Sequence, residues 1–456
     1  MAFSGFEGEV WLRWGYFLRI FFFEVTICGL ALRMALRFGF LCLLLLLQGL
    51  SAIPNTILGG FVNNPSPLDG SDLTEPLLTA VRDGVELPGN WEEEASVAGT
   101  QSAYLMARPK VFGQEALLVR GLWREGDLEE VQVTFNDAGS YFGYDTEEVP
   151  PNLKGRKREE FLRSKFEERQ ESFAILHEES LELAKKELAS RSEKGRAKEV
   201  RFGKSRAIRA EVLEYEWEGV TARLFHGPNR LVRILLRKED GFSDAWMDQV
   251  VAEMDKRKYA QWLLDRVEKT EIGDEVLDDL EIVPQGYRPY CGLNTLVMAG
   301  RYLGLHIDED WMASAGKFEN TGSAAGSQML SLYGSVASEA GVKMKRVNDF
   351  DEGMVKRSLR AGLPVIVWRR WSKERDRRHS LVTRSVSAGG SSAWGELDEQ
   401  ALPDESSPLH ASVIVGFNEE RDEFLFLESW AKLNGPRRMP VQELDKTAYL
   451  TFCFQH

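Results

Sequence analysis

The sequence predicts an α+β protein in two parts, and three patterns carry that expectation. Residues 115–135 and 212–236 each run strand, polar turn, strand, with apolar side chains at alternate positions. Between them, from about Gly155 to Arg191, the apolar residues fall roughly on one helical stripe in a segment dense in Glu, Lys and Arg. Beyond residue 275 the order changes, with helical patterns first and short apolar strands afterwards.

The chain opens on an apolar region. Arg33 and Arg37 form a positive segment before the short apolar run Phe38–Leu47, and Gly49, Ser51 and Ala52 supply small residues at a cleavage point. This is the layout of a secretory signal peptide within residues 1–52. Its start is expected at Met34, because Arg13, Arg19 and Glu24 interrupt what comes before. The apolar run is short for a membrane span. The product is therefore expected to be secreted or periplasmic, with no stable span after leader cleavage. An uncleaved N-terminal anchor is the alternative. Residues 53–100, with Gly, Pro and Glu and weak periodicity, read as a linker.

Residues 101–270 read as an α+β accessory domain. Leu117, Val119 and Trp123 alternate with Leu118, Arg120 and Arg124, and after the turn Glu125–Asp127 the residues Val131, Val133 and Phe135 alternate again. The charged segment that follows reads as a solvated, broken helix. Val212–Phe225, a turn at His226–Arg230 and Leu231–Leu236 form the second strand pair, resembling the first without a shared motif. Ser243 is placed to cap a helix with Trp246, Met247, Val250, Val251 and Met254 on one face, prolonged by Trp262, Leu263 and Val267. The acidic run Glu271–Glu281 sets a boundary near 270–280, beyond which residues 275–456 form a separable domain.

In that last part Ser327–Ala340 has a helical pattern and Gly362–Trp368 reads as a buried strand. Arg369–Arg378 reads as a charged loop ending at His379, and 384–408 as a flexible surface loop. His410–Phe417 and Glu423–Trp430 are strands about a polar turn at Asn418–Asp422, and Tyr449–Phe454 is a final strand. The net charge of −14 argues against a nucleic-acid partner. The basic cluster Lys154–Arg158 heads a segment equally rich in Glu, so it reads as a solvated face. There is no metal-ligand spacing, no phosphate-cradling glycine loop and no dinucleotide motif, so no cofactor or metal is expected.

The chemistry centres on Cys291. Pro289 marks a chain break just before it, and Leu293, Leu296, Val297, Gly300 and Leu303 recur at helical spacing after it. A thiol at a helix start faces free backbone N–H groups and the positive end of the dipole, and both favour the thiolate. Only Cys453 would survive beside it after leader removal, so one disulfide is the structural alternative. A turn centred near Glu419 sets His410 opposite Glu428. Opposed residues of an antiparallel pair share a face with Cβ atoms roughly 5 Å apart. The carboxylate can then accept from Nδ1–H and leave Nε2 for a thiol. Cysteine catalysis needs a thiol, a histidine base, a group that orients it and oxyanion donors. Cys291, His410 and Glu428 fill the first three roles, and the Gln285 side chain with the Cys291 backbone N–H fills the last. His379 is the rival base, but Arg375, Arg377 and Arg378 around it disfavour an imidazolium.

Gln285, Cys291, His410 and the triplet Glu428-Ser-Trp430 resemble papain-like cysteine peptidases over about residues 275–456. Tyr290-Cys291-Gly292 and the compact length look closest to the bacterial branch similar to bacteriocin-leader-processing peptidases. The resemblance implies a central helix opened by the nucleophile and packed on an antiparallel sheet, with Trp430 covering the histidine–carboxylate pair. Glu428 stands where that family has Asn or Asp, and Ala431 where it has Gly. The expected activity is hydrolysis of peptide or isopeptide bonds in a peptide or protein substrate through a thioester acyl-enzyme. A catalytically silent scaffold and an acyl transferase using the same Cys–His site are the alternatives. Residues 53–270 would serve as inhibitor, docking surface or scaffold.

Overall fold

Two antiparallel sheets organise the chain. The computed structural model describes residues 66–97, 100–142, 149–217, 219–285, 288–318, 326–391, 394, 402–430 and 435–456. All belong to one unit, Pro54–His456. The expected leader, 1–52, lies outside the described residues. No helix among the described residues is long and apolar enough to cross a membrane.

The first sheet is built from β1 (Trp91–Val97), β2 (Thr100–Leu105), β5 (Leu118–Arg124), β6 (Asp127–Asp137), β7 (Lys198–Phe202), β8 (Ala210–Trp217), β9 (Val220–Gly227) and β10 (Leu231–Lys238), with β3 (Lys110–Val111) and β4 (Gln114–Glu115) a separate short pair. Its order is β1-β2-β5-β6-β10-β9-β8-β7. Both expected strand pairs are present, β5–β6 and β9–β10. The stretch expected as one strand from Val212 to Phe225 instead turns back between Trp217 and Val220 to pair β8 with β9. The expected linker, 53–100, is structured over its described residues from Ser66 on. Helix α1 (Thr74–Asp83) buries Leu77, Leu78 and Val81 against the sheet, and β1 is its edge strand. After the short helix α2 (Ala138–Phe142), the charged segment forms one unbroken 36-residue helix, α3 (Arg156–Arg191), whose later half buries Phe173, His177, Leu181, Ala184 and Leu188.

Strand alternation gives this sheet two buried faces. Leu224, Val232, Ile234 and Leu236 pack toward α1 and α3, while Val212, Phe225, Leu231 and Leu235 join the core of the second half. That core runs without a break from Val200 to Phe454, so the expected boundary near 270–280 is not a boundary in the packing. The connection contains α4 (Gln249–Ala252) and α5 (Lys256–Leu264), capped by Asp248 and Asp255 rather than by Ser243, and Val267 lies on a strand.

The second sheet holds β11 (Val267–Lys269), β12 (Glu275–Leu277), β13 (Lys343–Asn348), β14 (Val365–Arg370), β15 (Leu409–Asn418), β16 (Glu423–Leu427), β17 (Arg437–Pro440) and β18 (Ala448–Gln455). Its order is β11-β12-β15-β14-β18-β13, with β16 pairing both β15 and β17. Around it lie α6 (Cys291–Tyr302), α7 (Glu309–Ala315), α8 (Gly326–Glu339), α9 (Glu352–Arg360), α10 (Lys373–Ser387) and α11 (Val441–Thr447). Arg369–Arg378 is therefore not a loop ending at His379. Ser372 caps α10 by accepting from the Arg375 N–H, and the helix carries His379, Val382 and Val386 inward. Of the expected loop 384–408, residues up to Ser387 continue that helix. The fold is thus mixed α and β with antiparallel sheets.

Candidate active site

Cys291 is the first residue of α6. The helix was expected to bury one stripe, but Leu293 through Gly300 are buried all round, as befits a central helix. The thiol itself is half-buried and free, and Cys453 is buried and free, so no bridge joins them. Burial pushes the Cys453 thiol up to about 11.

Two strands deliver the other groups. His410 lies near the start of β15, and Glu428 follows the end of β16. The pairing differs from expectation. Val413 faces Leu427 and Ile414 faces Phe426, with a bulge before Gly416. Continuing that register sets Ser412, not His410, against Glu428, and Ser412 Oγ donates to Glu428 Oε2 at 3.0 Å. The offset is two residues, so His410 and Glu428 keep a common face. They are now diagonal neighbours, which lie farther apart than opposed ones. The extra methylene of Glu spans the difference, and His410 Nε2 meets Glu428 Oε2 at 2.6 Å. The ring is thus used the other way round from the expectation. Nε2 goes to the carboxylate, which leaves Nδ1 for the Cys291 thiol.

The electrostatics follow from this contact. Burial raises the Cys291 thiol, but the hydrogen bond and charge of His410, with the backbone N–H groups of Ala411 and Gly292, bring it below its ordinary value. Burial disfavours the His410 imidazolium, yet Glu428 and the thiolate outweigh it and raise the ring to about 9. Burial likewise favours a neutral Glu428, but His410, Arg369 and Arg437 hold it down at about 2. The expected stacking is present: Trp430 lies over His410 with centroids 4.8 Å apart and planes 29° apart.

Gln285 sits beside this group. Its Oε1 accepts from Ser429 Oγ at 2.6 Å, its Nε2 donates to the Arg288 carbonyl at 3.1 Å, and its backbone N–H donates to the Ser429 carbonyl. These bonds tie the segment before the nucleophile to the segment after Glu428. His379, the rival base, is held elsewhere. It is fully buried on α10, with Nε2 2.9 Å from Glu443 Oε1, and burial lowers it.

Several site residues escaped the sequence reading. Arg369, directly opposite His410 on β14, donates to Glu428 Oε1 at 2.7 Å and to Ser412 Oγ at 3.1 Å. Arg437 donates to the same Oε1 at 3.2 Å. A charge ending the apolar run Val365-Ile-Val-Trp-Arg was the available signal, since a buried guanidinium requires a carboxylate. Beside the helix start, the Trp368 Nε1–H donates to Tyr333 Oη, which donates to the Gly292 carbonyl at 2.7 Å.

The first sheet also reaches this site. Tyr290 Oη donates to Asp137 Oδ1 at 3.2 Å, at the end of β6. Arg288 pairs with Asp310 and lies 3.6 Å from Asp137. Arg120 of β5 pairs with Glu309 at 2.8 Å, and Arg233 of β10 with Asp310 at 2.8 Å. The two residues before Pro289 and Cys291, respectively Arg288 and Tyr290, are thus held by side chains of the accessory half and of α7.

Among the described residues no group of three His, Cys, Asp or Glu is placed to hold a metal ion. No protein-family model matches the chain, and no curated protein matches it.

Proposed function

We propose that the protein is a cysteine-type hydrolase that cleaves peptide or isopeptide bonds through a thioester, with a papain-like arrangement over about residues 275–456. The observation that carries this reading is the relay of Cys291, His410 and Glu428: a half-buried thiol lowered by a histidine that lies 2.6 Å from, and is raised by, a buried carboxylate. A structural cysteine needs no such partner, and the inert Cys453 has none of it.

In the reaction the Cys291 thiolate attacks the carbonyl carbon, and the carbonyl oxygen takes up the negative charge. The Cys291 backbone N–H, which has no intrahelical acceptor in the first turn, and the Gln285 Nε2 amide are the donors for that oxygen. His410, protonated at Nδ1, gives this proton to the leaving amine as the C–N bond breaks and the thioester forms. The neutral ring then takes a proton from water, whose oxygen attacks the thioester, and the proton returns to the sulfur as it leaves. Glu428 stays ionised throughout and holds the Nε2–H, and Trp430 screens the pair from water. The same thioester serves acyl transfer if an amine replaces water.

The test is labelling of the full chain with a thiol-directed peptide electrophile, mapping the modified residue, together with turnover of a peptide library. Cys291 should be modified selectively, and Cys291→Ala should lose both labelling and turnover. Library cleavage that persists in Cys291→Ala would sink the reading. Selective thiol reactivity with no peptide cleaved would favour a scaffold or transferase.

A further inference from the structure

Next to the relay, β14 and β18 carry a second group of side chains. On β14 the side chains alternate, so Arg369 points to Glu428 while Trp368 and Arg370 point to the other face. The Trp368 ring lies beside the start of α6, bonded to Tyr333 and within 3.7 Å of the space above Gly292. Between β14 and β18 the register shifts after Trp368, which pairs with Leu450 while Arg369 pairs with Ala448. The residue left unpaired is Tyr449, and bulges re-aim side chains in this way. Its ring meets Trp368 at 6.1 Å and lies under the Arg370 guanidinium at 5.5 Å. Burial raises Tyr449, and the charge of Cys291 adds to it. Leu409, directly across from Arg370, is 53% exposed.

Arg370 differs from the fully buried arginines of the interior. Arg120, Arg233, Arg369, Arg437 and Arg438 each sit on a carboxylate. Arg370 is half-buried and gives one hydrogen bond, from Nη1 to the Ser407 carbonyl at 3.1 Å. It has no carboxylate partner among the described residues. A guanidinium on an aromatic face with donors to spare is the group that recognises a carboxylate. Trp368, Tyr449 and Leu409 supply apolar surface for the methylenes leading to it.

Resting on the hydrolase reading above, we infer that Arg370 is a specificity-determining residue and that the site takes substrates carrying a glutamate side chain close to the scissile bond. Glutamate fits better than aspartate because its longer stem crosses the aromatic wall before the carboxylate meets Arg370. The side chain makes no contact with the reacting atoms, so it acts on choice of substrate and leaves thiol activation alone.

The experiment compares alkylation of Cys291 by chloroacetyl-glutamate amide and chloroacetyl-glutamine amide in the full chain, alongside cleavage of a proteome-derived peptide library. The wild type should favour the glutamate probe on the order of tenfold, the scale of a charged hydrogen bond partly open to water. Arg370→Gln should bring the ratio near one with iodoacetamide reactivity unchanged. Arg370→Glu should invert it and favour a lysine probe, a gain that a merely structural role would not produce. Library cuts should show acidic enrichment at one position that vanishes in Arg370→Gln. Equal rates for both probes in the wild type, or an acid preference that survives Arg370→Gln, would overturn the assignment. An acid preference in alkylation with no peptide cut would sustain the subsite and overturn the hydrolase reading instead.

Discussion

Glu428→Gln separates the two jobs that the carboxylate performs. From sequence alone this is the mildest change at the site, because an amide oxygen can still accept from the imidazole. The surroundings of Glu428 alter that expectation. Arg369, whose side chain is 2% exposed, has Glu428 as its ion-pair partner and otherwise bonds only Ser412 Oγ and the Arg370 carbonyl. Arg437 keeps Asp376 at 2.7 Å. Removing the charge leaves one buried guanidinium uncompensated, which costs about 3–5 kcal/mol. The same change removes the largest of the influences that hold the proton on His410 against burial, so the ring falls from about 9. Urea unfolding should show the stability loss, and the pH dependence of Cys291 alkylation should show the loss of the ion pair on its alkaline side. Adding Arg369→Met should recover most of the stability, because the orphaned charge is gone, yet leave the pH profile shifted. Unchanged unfolding free energy in Glu428→Gln would refute the dependence of Arg369 on Glu428. An unchanged alkaline limb would refute the role of Glu428 in holding the imidazolium.

Other outcomes test the remaining parts. His410 is raised on folding from 6.5 to about 9, so its ion pair stabilises fully below 6.5 and that contribution is lost as pH rises through about 9; the decline should be absent from the unfolding free energy of His410→Gln. Cys291→Ala should abolish turnover with His410→Ala close behind, and Gln285→Ala should lower kcat by about 10²–10³, whereas His379→Ala, away from the relay, should cost stability through Glu443 and leave the pH profile intact. An added Cβ at Gly139 would collide with the Tyr290 hydroxyl; Gly139→Ala should therefore slow Cys291 alkylation without touching the relay, and a wild-type rate would show that this contact does not position the nucleophile. A fragment 275–456 should fail to fold by circular dichroism, because it exposes the partners of Val212, Phe225 and Trp246 in the shared core; a stable fragment would restore a boundary near 275.

The legible parts of the chain were those where pattern and chemistry agreed. The relay could be read because parity survives a two-residue offset, and Glu is long enough to reach diagonally. The orientation of the imidazole could not be read, since it depends on how β15 approaches the start of α6. Helix α1 was missed because its N-cap position is Leu73 and the capping carboxylate sits one residue earlier, Asp72 accepting from the Thr74 N–H at 2.9 Å. In α10 only His379, Val382 and Val386 turn inward among many charges, and the charges dominated the pattern. Arg369 and the arginines facing Asp310 lie in strands or loops whose partners are remote in sequence, which local spacing does not encode. The core continues across 270–280 for the same reason: within the acidic run Asp274 is buried against Arg438 and Asn418, and Leu277 and Leu280 lie in the shared core.

The salt bridges around Arg288 set an order of events during synthesis. Asp137, Arg120 and Arg233 belong to strands made more than fifty residues before Cys291 leaves the ribosome. The residues before the thiol therefore meet Asp137 already made, whereas Glu309 and Asp310, which complete the cluster, follow the thiol in the chain. His410 and Glu428 come later still, so the relay closes only after the chain has been made as far as β16 and the residue beyond it. A product that stops short, or one that begins after the first sheet, carries reactive residues without the frame that aims them. On the proposed hydrolase reading, activity waits on both sheets, because neither alone aims the thiol.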